Sequence, residues 1–200
     1  ERKDSQGICF VGKVDLPVFL QQKLKSREGD IVEIPKDYYG TLLQVATDDL
    51  EAMAKPYRYS PNNGFVVGKH VGAQFYTIGQ RKGLNVGGKV EPLFVIATNI
   101  EQNVVYVGQG QSHPGLYRSG LFIAKDEIHW IRPDLEMQVG ESRAYQLRIR
   151  YRQPLQQGEI HMRSEGLYFT FAEPQRGVTA GQFASWYDGD ELLGSGPIWE

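Results

Sequence analysis

The sequence predicts a mainly β protein with a short helical N-terminal part. This is an α+β arrangement in which a β-rich central module precedes a smaller β module of barrel or sandwich type. Three observations carry that expectation. Strong helical periodicity occurs once, in the stretch after Cys9. From Phe65 onward the chain turns to segments of four to seven residues, rich in Val, Ile, Phe and Tyr and bounded by Gly, Asn or Ser. Beyond an interruption at "KDEIHWIRPDLEMQVGE", further segments of the same kind recur at spacings of about ten residues, the rhythm of a small barrel or sandwich.

Taken in order, the helix has Asp15 as N-cap, Pro17 in its first turn, and Leu16, Phe19, Leu20 and Leu24 on one face. A second short helix is expected from Asp48, with Glu51 three places on in the spacing of a capping box. Between the two helices "KDYYGTLLQV", and after the second "AKPYRYSPNNG", read as an irregular excursion closed by Pro61, Asn62, Asn63 and Gly64, all turn formers. The central strands are "FVVG", "AQFYTIG", "LFVIATN", "NVVYVG" and "GLFIA". The later ones are "RAYQLRIRYR", "GEIHMR", "GLYFTFA", "GQFASWYDG" and "DELLGSGPI", with a tight turn expected at Asp188-Gly189.

Composition narrows the function classes. The 200 residues are 40% hydrophobic and 12% aromatic, with a single cysteine and no long apolar run. A lone cysteine permits no internal disulfide, and no charged-then-apolar signal segment opens the chain, so the cytoplasm is the expected compartment and no membrane is involved. The chain begins at Glu1 and enters a motif directly, as expected of a piece of a longer protein. The formal net charge is −2, but acids and bases are segregated. Ala52 to Val90 lacks Asp and Glu yet holds Lys55, Arg58, Lys69, Arg81, Lys82 and Lys89. Ser142 to Gly158 is also free of acids and holds Arg143, Arg148, Arg150 and Arg152. Such segregation can build a positive face for a phosphate backbone, or simply two ordinary solvated faces.

Four motifs carry chemistry. "YTIGQRKGL" places Gln80, Arg81 and Lys82 between Gly79 and Gly83, a basic loop that allows close backbone approach to a phosphate or base edge. An exposed basic turn accounts for it equally simply. In "RIRYRQ", strand alternation puts Arg148, Arg150 and Arg152 on one face, with Tyr151 beside them as a stacking group for an unpaired base. The alternative is a solvent-facing strand whose charges discourage edge pairing. His70, His113, His129 and His161 have no metal-ligand spacing with one another or with Cys9, so no metal is expected. Cys9 itself, in "KDSQGICFVG", is either a buried small hydrophobe or a thiol kept for chemistry, with Arg2, Lys3 and Lys13 able to favour the thiolate.

Together these stretches resemble the tRNA-specific 2-thiouridylase family. The resemblance rests on "DSQGICFVG" at Asp4 to Gly12, "GKHVGAQFYTIGQRKGL" at Gly68 to Leu84, "RYRQ" at Arg150 to Gln153 and "VTAGQFASWYDGDELLGSG" at Val178 to Gly196, all in the family's order. It implies an enzyme that replaces O2 of the wobble uridine of certain tRNAs with sulfur. It also implies a three-part protein: an ATP-pyrophosphatase domain, a central domain, and a C-terminal β-barrel similar to one in translation elongation factors. The family's Ser-Gly-Gly-Val-Asp-Ser type nucleotide loop does not occur in these residues, so ATP is expected to be bound by a domain that this chain lacks. The chain alone is expected to be inactive.

By position, the resemblance makes Cys9 the cysteine that carries sulfur as a persulfide, loaded by a sulfur-donor protein of a cysteine desulfurase relay. It further implies a transient disulfide from Cys9 to a cysteine of the absent domain. It assigns tRNA contact to Arg150, Tyr151 and Gln182; Gln80, Arg81 and Lys82 are added from their chemistry alone. Ala180 stands where the family usually has proline, which loosens a turn and leaves Gln182 in place. The expected division is 1–28 for the cysteine loop and helix, 29–126 for the central domain with an insertion near 34–63, and 127–200 for the barrel. Two rival readings are a non-enzymatic tRNA- or RNA-binding module and, more remotely, a cysteine hydrolase that would need a histidine within hydrogen-bonding reach of Cys9.

Overall fold

The computed structural model describes residues 25–40, 49–150 and 153–199. The chain divides into two compact units, and the described part of the first is 25–35 with 59–110. It is a four-stranded sheet of β1 (Gly29–Glu33), β2 (Phe65–His70), β3 (Leu93–Asn99) and β4 (Val104–Gln109) in the order β2-β1-β4-β3. β1 runs antiparallel to β2 and parallel to β4, so Ile31 and Val32, pointing to opposite faces, are both fully buried. Ile31, Ala73, Val95, Val105 and Val107 form the core of this unit.

A buried polar latch holds the sheet to its flanking loops. Asn103, at φ +54°, accepts from Ala73 N through Oδ1 at 3.0 Å and donates through Nδ2 to the carbonyls of Arg27 and Glu28 at 3.0 and 2.9 Å. Beside it, buried His70 accepts from Gly72 N through Nδ1 at 2.9 Å, which requires that nitrogen to be unprotonated.

The described part of the second unit is 36–40 and 49–58 with 111–150 and 153–199. Its sheet contains β5 (Tyr117–Ala124), β6 (His129–Trp130), β7 (Ser142–Arg148), β8 (Gln156–Met162), β9 (Gly166–Arg176), β10 (Phe183–Asp188) and β11 (Glu191–Pro197), in the order β5-β9-β8-β7-β10-β11-β6. The sheet curls, and past β11 the chain returns to β5, where Trp199 N donates to the Phe122 carbonyl at 2.9 Å. The mainly β class and the barrel-type C-terminal part are therefore as the sequence predicts.

Trp186 anchors the core, fully buried, with edge-on contacts to Trp130 and Phe169 at 5.0 and 5.6 Å between ring centroids. Gly194 makes room for it: a Cβ there would sit 2.3 Å from the indole ring. Around it pack Leu121, Ile123, Leu147, Ile160 and Leu193. A short helix, α1 (Leu50–Ala54), is capped by Asp49 Oδ1 accepting from Ala52 N at 2.9 Å. Arg118 donates to the Ala54 carbonyl at its end, and buried Tyr39 meets Tyr57 and His113 edge-on at 5.1 and 5.4 Å.

Several expectations need correction. "AQFYTIG" is no strand: a 3₁₀ turn at Ala73–Phe75 and a loop replace it, because Gly72 and Gly79 at φ +146° and +85° break the extended path. β7 stops at Arg148, since Ile149 N is taken by Gln153 Oε1 at 3.2 Å and Gln153 N by the Arg150 carbonyl at 3.1 Å. The cap of α1 is Asp49 rather than Asp48. Asp188 pairs with Glu191, so the hairpin turn is Gly189-Asp190, one residue later than expected. By compactness the chain divides at 35/36, 58/59 and 110/111. β1 was not anticipated at all. The predicted helix at Asp15 to Leu24 lies outside the described residues.

The His70 latch has a pH signature. Burial pushes its imidazole below the usual 6.5, so the unfolded chain takes up the proton first. Stability of the first unit is therefore complete above about pH 6.5 and declines as pH falls through the lowered folded value. Urea midpoints measured from pH 8 to pH 5 should fall on acidification, and His70→Asn, which cannot titrate, should show a flatter profile.

Candidate nucleic-acid interface

In the first unit the glycine-bounded loop is built from the inside by Gln80. Its Oε1 accepts from Thr77 N at 3.1 Å and its Nε2 donates to the Lys82 carbonyl at 2.8 Å, so both ends of the amide are spent within the loop. Backbone pairing to β3 fixes the base: Gly79 N donates to the Val95 carbonyl at 2.7 Å, and Val95 N to the Gln80 carbonyl at 2.9 Å. Tyr76 Oη closes the far side on the Gly83 carbonyl at 3.1 Å. The loop thus presents Arg81 and Lys82 to solvent, while Gln80 shapes it. Arg81 also lines a shallow pocket of about 350 Å³ with Leu84, Val86, Lys89 and Glu91.

The acid-free run is less positive in space than in sequence. Lys55 pairs with Glu51 at 2.5 Å, Lys69 with Asp30 at 2.7 Å, and Lys89 with Glu33 at 2.5 Å. Each of these carboxylates comes from outside the run. Arg81 and Lys82 have no ion pair among the described residues, which leaves the loop positively charged.

In the second unit, the end of β7 is tied to the turn before β10. Exposed Arg150 donates from Nη2 to the Gly177 carbonyl at 2.9 Å, and Thr179 Oγ1 donates to the same carbonyl at 3.0 Å. Gly177 sits at φ +70°, and a Cβ on it would lie 2.3 Å from Arg150 Nη2. The left-handed φ favours glycine here, and a Cβ would in addition push aside the flexible end of the Arg150 side chain. The turn continues with Gln182 N donating to the Thr179 carbonyl at 3.3 Å, and Gly181, at φ +78°, supplies its left-handed position. Gly181 N and the Gln182 carbonyl both bond Ile198, at 2.9 and 2.7 Å. Gln182 is thereby held firmly although Ala180 replaces the turn-favouring proline, and its side-chain Oε1 is buried without a hydrogen-bond partner among the described residues.

In the sequence Arg150 and Gln182 are linked only through resemblance; in the structure Arg150 is bonded to the Gly177 carbonyl, ahead of the turn that carries Gln182. Gly177 was missed, although its signal was a glycine directly after a strand in "QRGVTAGQ". Cys9 and Tyr151 lie outside the described residues. Three histidines have local structural roles. His70 accepts from Gly72 N, His113 Nδ1 accepts from Gly115 N at 3.3 Å, and His161 bonds Ser142 Oγ and Thr170 Oγ1 at 2.8 and 3.0 Å. Among the described residues no cluster of three or more His, Cys, Asp or Glu could hold a metal.

The unit bearing the arginine-anchored turn and the sheet bearing the basic loop each match a known family of domains. Residues 121–198 match the family model described as an aminomethyltransferase beta-barrel domain, and residues 57–109 the one described as a tRNA methyl transferase PRC-barrel domain. The chain is 54% identical over 203 residues to the tRNA-specific 2-thiouridylase MnmA of Christiangramia forsetii, covering 99% of the chain and 51% of that protein. To the proteins of the same name from Flavobacterium johnsoniae and Halalkalibacterium halodurans it is 49% and 39% identical, over 99% of the chain and 51% and 45% of theirs. The chain belongs to the tRNA-specific 2-thiouridylase family and spans about half the length of the curated relatives it matches.

Replacing Gly177 tests the anchoring of the turn. Gly177→Ala should cost about 1–3 kcal/mol through its backbone conformation and the clash with the guanidinium. In an Arg150→Ala background the same change should cost less, because no guanidinium is displaced; a double-mutant cycle by urea unfolding reads the coupling.

Proposed function

We propose that this chain is the sulfur-carrying and tRNA-holding part of a tRNA-uridine 2-sulfurtransferase. The observation that carries the reading is the Arg150–Gly177 contact. It joins two stretches far apart in sequence, "RYRQ" and "VTAGQ", into one surface that presents Arg150 beside the Gln182 turn. Arg150, Tyr151 and Gln182 are assigned to tRNA contact, Arg150 as a phosphate or base-edge donor and Gln182 from a position whose backbone the turn fixes. Arg81 and Lys82 add cationic donors from the other unit, with Gln80 as the shaping residue.

The sulfur chemistry is assigned to Cys9. A sulfur-donor protein of a cysteine desulfurase relay loads it as a persulfide. Activation of the uridine C2 oxygen with ATP falls to a nucleotide-binding domain outside these residues, which is why the chain alone would not turn over. Once adenylated, the oxygen departs from C2 with AMP as the C2–O bond breaks and a C2–S bond forms with the terminal persulfide sulfur. The electrons of the S–S bond leave with the transferred sulfur when a second cysteine, in the activating domain, displaces it. That cysteine ends disulfide-linked to Cys9, and an external thiol reductant resets the pair. The cytoplasm, reducing and rich in tRNA, suits this cycle. Among the described residues no helix is long and apolar enough to cross a membrane.

The test uses the full-length parent. Cys9→Ser should abolish 2-thiouridine in tRNA, measured by mass spectrometry of digested nucleosides, while leaving tRNA affinity unchanged. Thiolation at the normal rate would contradict the sulfur-carrying role and leave an RNA-binding module.

A further inference from the structure

β10 buries alternate side chains. Ala184 and Trp186 point into the core, whereas Phe183, Ser185 and Tyr187 point outward, and Phe183 is 62% exposed. β7 and its extension follow the same rule: Leu147 and Ile149 are buried, Arg148 is half-buried and Arg150 exposed. The β7–β10 ladder sets Ser185 opposite Arg148 and Tyr187 opposite Gln146, so the two outward rows share one face. Phe183 continues this outward row at the start of β10, whereas β7 has ended at Arg148 and Arg150 reaches to the turn before β10 instead. Arg148 lies over the Tyr187 ring, 5.4 Å from its centroid. On the other side of β10, Pro197 and Ser195 of β11 face Phe183 and Ser185.

This face combines Arg148 with two aromatic rings, and Arg150 follows it two residues on at the Gly177 turn. The nearest acids of these strands sit away from Phe183: Asp188 ends β10, and Glu159 of β8 stands opposite Ala144, four residues back from Arg148. A phenylalanine left in water in the middle of a sheet gains nothing for the fold. Its flat ring is the group that unpaired nucleobases stack on, with little dependence on sequence. The neighbouring guanidinium groups complement the phosphates of the same strand.

We infer that Phe183 is a stacking platform for an unpaired base of RNA, with the Arg148–Tyr187 pair continuing the platform along β10. The inference rests on the RNA-binding role of Arg150 and Gln182 and adds what that role does not specify, a preference for bases outside a duplex. Base pairing within a helix keeps both faces of a base stacked, so a duplex cannot use this ring.

The full-length protein is titrated with a synthetic RNA stem-loop carrying 2-aminopurine at each unpaired position in turn, and with a blunt RNA duplex. Wild type should quench the fluorescence of at least one position. Phe183→Ala should weaken stem-loop binding about tenfold, abolish that quench and leave duplex affinity unchanged. Phe183→Trp should retain binding and quench, while Phe183→Leu, which keeps apolar bulk without a π face, should behave like alanine. Leucine binding as well as phenylalanine would overturn stacking in favour of apolar docking. Equal losses on stem-loop and duplex would also overturn it. If Arg150→Ala loses affinity while Phe183→Ala does not, the RNA interface stands and the platform falls. If neither changes affinity, the RNA reading fails with it.

Discussion

The burial of Trp186 fixes the second unit. Its ring fills the space between Trp130, Phe169 and the backbone of Gly194, where no side chain could be accommodated. Strand side chains alternate, so a one-residue slip of β10 would expose this indole and bury Phe183 and Tyr187. The register that hides Trp186 therefore also decides what the outer face presents. It places Ser185 against Arg148 and Tyr187 under its guanidinium, and delivers Gln182 to the point where the chain enters the strand. Core packing and the candidate interface are two faces of one register.

The turn ahead of β10 extends that constraint. Gly177 offers its carbonyl to Arg150 and to Thr179, while Ile198 clamps the Gly181-Gln182 backbone from the neighbouring segment. Arg150 is held by a neutral carbonyl rather than a carboxylate, so its charge remains available to a polyanion. Lys55, Lys69 and Lys89 differ in this respect, because each is paired with an acid from elsewhere in the chain, whereas Arg81 and Lys82 face solvent without an ion pair among the described residues. Gln80 spends its amide on stiffening their loop, which lowers the entropy cost of presenting them.

Much of this was legible in the sequence where one physical signal dominated. "LFVIATN" coincides with β3, and the segments from "GEIHMR" onward became β8 to β11, because apolar alternation between glycines has few other solutions. β1 escaped notice because "GDIVE" has only two apolar residues, each buried on a different face, among acids that read as solvent-exposed. "RIRYRQ" was extended too far as a strand, since local pattern could not reveal that Gln153 would take the amide of Ile149. The meeting of Arg150 with Gly177 depends on tertiary closure across 27 positions, which no local pattern encodes. The charge reading failed in part for the same reason: acid-free sequence is not acid-free space.

The central claim is that the outer face of β7 and β10, with the turn at Gly177 to Gln182, receives tRNA. Amide hydrogen exchange of the full-length protein with and without tRNA measures this directly. The account predicts slowed exchange at Ile149–Arg150 and across Gly177–Tyr187 on adding tRNA, with the core amides of β8 unchanged. Unaltered exchange in both of those segments, with protection confined to other parts of the protein, would contradict it.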